Sequence, residues 1–86
     1  MDNKFLNKVA EQIISETEVS NGKVYFPFLS GGVTRKVLSP TRILSYLLYN
    51  FSHHCREVYG LNDDERLLVW DKFVNEYFYK FPYNSF

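Results

Sequence analysis

The sequence predicts a single α+β domain: an N-terminal helix, a small antiparallel β-hairpin and then two antiparallel helices. Three segments space their apolar residues three and four positions apart, as on one face of a helix. Between the first two segments lies a stretch of β-branched and aromatic residues interrupted by Asn-Gly and Gly-Gly turn signals. A chain of 86 residues can bury one modest core, so we expect one domain over residues 1–86.

The first helix is expected from about residue 2 to residue 16. Lys4, Lys8 and Glu11 face water in this arrangement, opposite a continuous apolar stripe. The stripe consists of Phe5, Leu6, Val9, Ala10, Ile13 and Ile14. This pattern is typical of a helix that covers one side of a core.

A β-hairpin is expected next, with strands over residues 23–29 and 33–38 joined by a glycine turn. Pro27 has no N–H to donate to a neighbouring strand, so its strand should lie at an edge or contain a bulge. A third short strand, over residues 17–20, is an open alternative. It would pair across Asn21-Gly22, a dipeptide that favours the type I′ turn.

The second helix is predicted over residues 40–59. Ser39 can accept hydrogen bonds from free N–H groups at a helix start, and Pro40 is favoured at the first helical position. Gly60 can adopt the left-handed conformation that ends many helices. These signals mark the start and the end of a segment whose apolar residues are spaced as on one face of a helix.

The third helix is predicted over residues 63–81. Asn62 and Glu65 are spaced as in a capping box, and Pro82 cannot continue a helix. Because the link between the last two helices is short, we expect them to be antiparallel neighbours.

The composition excludes several classes of protein. Ten basic and ten acidic side chains give no net charge, whereas proteins that bind nucleic acid usually carry a basic excess. One cysteine rules out an internal disulfide framework. We find neither a membrane-spanning apolar run nor a signal-peptide core, so we expect a cytoplasmic protein without membrane association.

His53-His54-Cys55 is the most chemically suggestive triplet. Adjacent residues on a helix point about 100° apart, so the three side chains cannot converge on one metal ion. Cys55 is expected in the core, His54 at its edge and His53 outside. We therefore predict no metal, no cofactor and no enzymatic activity, with catalysis by Cys55 or a histidine as the least favoured alternative.

The aromatic content is high for so small a domain. Eight Phe, seven Tyr and one Trp are present, and six of these rings lie in the last ten residues. Surface rings are typical of protein interfaces, so we predict a protein-binding surface. Its residues are Tyr46, Tyr49, Tyr77, Phe78, Tyr79, Phe81, Tyr83 and Phe86. The alternative is that these rings are core.

The predicted function is a non-catalytic module that binds another protein or a second copy of itself, such as a small inhibitor or adaptor of viral or mobile-element origin. The alternative is binding of single-stranded nucleic acid or a nucleotide by a basic hairpin, since aromatic and basic side chains together bind such ligands. The residues for this alternative are Tyr25, Arg35, Lys36 and Arg42.

Overall fold

A computed structural model describes residues 3–34 and 40–81, with only the backbone described for residues 40–46. Its elements are α1 (Asn3–Ser15), β1 (Glu18–Ser20), β2 (Lys23–Tyr25), β3 (Val33–Thr34), α2 (Pro40–Tyr59) and α3 (Asp63–Lys80). The predicted α+β class and order of elements are confirmed. The three predicted helices agree with the observed ones to within one residue at each described end.

The three strands form an antiparallel sheet in the order β1-β2-β3. Val24 on the central strand pairs with Val19 on β1 and with Val33 on β3. Asn21 and Gly22 connect β1 to β2 with φ angles of 52° and 74°. Two successive positive φ angles are the signature of a type I′ turn, so the third strand predicted from this dipeptide is confirmed.

The predicted strand over residues 23–29 is too long, because β2 ends at Tyr25. After it the chain turns, and the Leu29 N–H donates a hydrogen bond to the Phe26 carbonyl at 3.2 Å. Pro27 has no N–H and cannot extend the ladder, so a turn that places Phe26 in the core replaces the strand. The predicted continuation of the other strand, at residues 35–38, lies outside the described residues.

Helix α1 covers one side of the core with Leu6, Val9, Ala10, Ile13 and Ile14, all of them buried. Phe5, predicted to belong to this stripe, is 44% exposed. At the end of the helix, the Thr17 hydroxyl donates to the Ile13 carbonyl at 2.8 Å. This bond satisfies a carbonyl of the last turn where the chain leaves the helix for β1.

The link between α2 and α3 has the predicted conformation. Gly60 has a φ of 66°, and its N–H donates to the Arg56 carbonyl at 3.2 Å. The Asn62 side chain accepts from the Glu65 N–H, and the Glu65 carboxylate accepts from the Asn62 N–H, both at 2.9 Å. This capping box places the N-cap of α3 at Asn62, two residues after Gly60, so that the helix starts at Asp63.

Aromatic rings from several elements meet around Phe73, which is fully buried on α3. Its ring contacts those of Phe26, Phe28, Phe51, Trp70 and Tyr77, and these six residues are called the Phe73 cluster. Phe26 and Phe28 come from the turn after β2, and Phe51 comes from α2. The cluster therefore joins the sheet to both C-terminal helices.

Replacing Asn62 with alanine should lower the free energy of unfolding by about 1 kcal/mol, since the N-cap of α3 is lost. Asn75→Ala is the matched control, because Asn75 is exposed in the middle of α3 and alanine is the better helix former. We expect a small gain in stability from the control. Urea denaturation measures both, and equal losses would show that the capping box contributes nothing.

Candidate functional site

The predicted protein-binding residues are divided between the core and the surface. Tyr49 is 78% exposed on α2 and Tyr79 is 87% exposed on α3. Tyr77 was predicted to be a surface anchor, but it is fully buried in the Phe73 cluster. Two residues along a helix rotate the side chain by about 200°, so Tyr77 and Tyr79 point to opposite sides.

Phe78 and Phe81 take an intermediate position. Both are partly buried against the core, and both rings contact that of Tyr77, at centroid distances of 5.1 and 5.4 Å. Phe78 and Phe81 therefore pack mainly against the core and do not project from the surface as Tyr79 does. Tyr83 and Phe86 lie outside the described residues, as does the side chain of Tyr46.

The residues predicted for a nucleic-acid site are mostly outside the described part of the chain. Tyr25 is partly exposed on β2, and its ring lies beside Gly32, where a Cβ would come within 2.9 Å of it. Arg35 and Lys36 belong to residues 35–39, which lie outside the described residues, and the side chain of Arg42 lies outside them as well.

Tyr49 lies at a cleft of about 410 Å³ between α2 and α3. The cleft is lined by Leu48, Tyr49, Ser52, His53, Arg56 and Arg66, and is called the α2/α3 cleft. Tyr49, His53 and Arg56 follow one another at intervals of four and three, which places them on one face of α2. An aromatic ring, two guanidinium groups and an imidazole thus share one concave surface.

The two arginines of the cleft share one carboxylate oxygen. Asp63 Oδ1 lies 3.3 Å from Arg56 Nη2 and 3.5 Å from Arg66 Nη2. The side chains of Arg56 and Asp63 are exposed, whereas that of Arg66 is only 19% exposed. Two positive charges against one negative charge leave the group with a net positive charge.

Ser52 holds Arg66 in place. Arg66 Nη1 donates to the Ser52 hydroxyl oxygen at 2.6 Å, and that hydroxyl donates to the Leu48 carbonyl at 2.7 Å. Arg66 Nε is buried and has no hydrogen-bond partner among the described residues. A buried donor without an acceptor is uncommon in folded proteins, and this nitrogen has almost no surface exposed to the cleft, so a ligand oxygen reaches it only when neighbouring side chains shift.

Sequence reasoning did not find the cleft. Ser52, Arg56 and Arg66 belong to neither of the two predicted sets of site residues. The sequence does contain one signal for the cleft. Ser52 and Arg66 lie at the same distance in sequence from Tyr59, on either side of it, and Arg56 and Asp63 lie at nearly equal distances from it. Residues placed in this way across a short link face each other when the two helices are antiparallel.

The histidine and cysteine triplet has the predicted burial. Cys55 is fully buried, His54 is partly buried and His53 is exposed. Burial raises the pKa of the Cys55 thiol to about 12, with the charge of Arg66 opposing the rise. The thiol is therefore protonated at neutral pH, and no described hydrogen bond joins it to a histidine.

Comparison of the chain with protein-family models, curated proteins and solved structures gives no match. Among the described residues, no group of three or more His, Cys, Asp or Glu side chains is placed to hold a metal ion. None of the described helices has the length and apolar character needed to span a membrane. The geometry of the α2/α3 cleft is thus the basis for a functional proposal.

Tyr77→Ala should lower the free energy of unfolding by about 3 kcal/mol or more, because it removes a buried ring from the Phe73 cluster. Tyr79→Ala is the matched control two residues away, and it should change stability by no more than about 0.5 kcal/mol. Chemical denaturation of the two variants checks the assignment. Similar effects at both positions would contradict the division between core and surface.

His54 should make folding sensitive to mild acid. Burial lowers its pKa below the ordinary value of 6.5, and the nearby charge of Glu16 opposes this only in part. Below pH 6.5 the unfolded chain binds more protons at this residue than the folded protein does, so stability should fall from pH 7 to pH 5. The variant His54→Gln should show a smaller fall.

The measurement is the difference in melting temperature between pH 7 and pH 5, which is insensitive to a uniform loss caused by replacing the ring. His53→Gln is the control, because His53 is exposed, and it should keep the wild-type pH dependence. If the two variants changed the pH dependence equally, His54 would not be the responsible group.

Proposed function

We propose that the chain is a non-catalytic module that binds another protein through the α2/α3 cleft, with Tyr49 as its central contact. The observation that carries this proposal is the position of Tyr49, whose ring is largely exposed on a concave surface beside two arginines. Tyrosine and arginine are enriched at protein interfaces and among the residues that dominate their binding energy. A large ring held on a helix has little conformational entropy to lose on binding.

The chemistry of the reactive side chains supports a non-catalytic role. Because the pKa of Cys55 is raised to about 12, its thiolate is scarce at neutral pH. His54 Nε2 is buried and has no hydrogen-bond partner among the described residues, so no described nucleophile is held against this nitrogen. The favoured role is to occupy a surface of the partner, as a small cytoplasmic inhibitor or adaptor of viral or mobile-element origin.

The charge of the cleft favours a different, acidic protein over a second copy of the chain. A twofold dimer brings the same surface of both copies together. If the twofold axis passed through the α2/α3 cleft, Arg56 and Arg66 of one copy would face the same residues of the other. Like charges across an interface repel, so an acidic partner fits the cleft better.

Tyr49→Ala should weaken binding to the partner about thirtyfold, the effect of losing a central interface aromatic residue. The partner is first captured in the native host by a photo-crosslinking amino acid at position 49. Binding of the purified pair is then measured by calorimetry. Tyr79→Ala is the control, since Tyr79 is equally exposed but does not line the α2/α3 cleft, and it should change the affinity by less than about twofold.

Three outcomes would contradict the proposal. Equal loss of affinity in the Tyr49 and Tyr79 variants would show that the cleft is not the binding surface. Crosslinks from position 49 only to other copies of the chain would replace the acidic partner with a homodimer. Capture of nucleic acid in place of protein would favour the alternative function.

A further inference from the structure

We propose that the α2/α3 cleft binds an anionic oxygen group, a carboxylate or a phosphate, carried by a side chain of the partner protein. Arg56 and Arg66 would hold this group, and Tyr49 would pack against the residue that carries it. The proposal rests on the proposed function, since it names the chemistry that the same cleft recognises. Arginine is suited to this task because its planar guanidinium donates paired hydrogen bonds to carboxylate and phosphate oxygens.

Two contacts hold the guanidinium of Arg66 in a fixed orientation at the cleft. Its Nη1 is engaged by Ser52 and its Nη2 lies near Asp63, which fixes the plane of the guanidinium. Its Nε is buried without a partner among the described residues. Because this nitrogen has almost no exposed surface, an incoming oxygen reaches it only when the side chains that cover it shift, and it then supplies the missing hydrogen bond.

Arg56 supplies the second positive charge. Its Nη2 contacts the same Asp63 oxygen as the Nη2 of Arg66 does. The two guanidinium groups therefore lie close together, on either side of that oxygen. The Arg56 side chain is 59% exposed, which leaves its other donors accessible from the cleft. One anion can therefore interact with both arginines.

Asp63 shows what kind of group the two arginines accept. Its carboxylate bridges them, but its side chain is 75% exposed and its ion pairs are correspondingly weak. An incoming anion would compete with this carboxylate for the same guanidinium groups. Removal of the Asp63 charge should therefore make the cleft bind anions more tightly.

Side-chain NMR of the full chain tests the proposal, with inorganic phosphate and acetate as separate probes at constant ionic strength. The Arg66 Nε–H signal should shift and saturate as either probe is added. Asp63→Asn should tighten binding about fivefold, and Arg56→Gln should weaken it about fivefold, the effect of one solvent-exposed charge pair. Arg56 is exposed, so its replacement should leave the fold intact.

Lys72→Gln is the matched control, because it removes the same charge from an exposed ion pair with Glu76 elsewhere on α3. It should leave the affinity for both probes unchanged. Equal weakening by Lys72→Gln and Arg56→Gln, or an Arg66 Nε–H signal that neither probe moves, would overturn the proposal.

Two further results separate this proposal from the proposed function. Saturable binding of a probe together with no protein crosslink at position 49 would overturn the protein partner and leave a site for small anions. Tight, strongly salt-dependent binding of a single-stranded oligonucleotide at the same signals would overturn the protein side chain as the source of the anion. A captured protein that still binds normally to Arg56→Gln would overturn the anion contact alone.

Discussion

Ring packing around Phe73 is the interaction on which the rest of the molecule depends. The described strands contain two or three residues each, and so small a sheet is not stable without a partner layer. Phe26 and Phe28 connect it to Phe73 through the turn after β2, and Phe51 connects Phe73 to α2. Helix α3 thus lies at the centre, since it also packs along α1.

This packing explains why the fold was predictable and the functional surface less so. The helices follow from local signals such as the Asn62 capping box, which depend on neighbours a few residues away. Whether a ring on α3 is buried or exposed depends on which side of the helix packs against the core. That helix has apolar residues on both sides, with Tyr77 buried and Leu67, Leu68 and Tyr79 exposed, so apolar periodicity alone could not separate them.

The limits of the strand prediction have a different cause. Val24 and Phe26 are both buried, and the alternation of side chains along this segment does not distinguish a strand from a strand end and turn that bury the same two residues. Pro27 was known to be unable to donate to a ladder, and an edge strand or a bulge was expected. The structure satisfies that constraint by ending β2 at Tyr25, which places Phe26 and Phe28 against the helices.

The cleft is a consequence of the same core. The rings of Phe51 and Trp70 meet at a centroid distance of 4.8 Å, which sets the position of α2 relative to α3. Ser52 follows Phe51, and Arg66 lies about one helical turn before Trp70, so this ring contact also brings the hydroxyl to the guanidinium. Donors held on two packed helices lose little conformational entropy when a ligand binds, which is the physical basis of preorganised recognition. The rings that the core encloses therefore determine the geometry of the polar groups that it leaves at its surface.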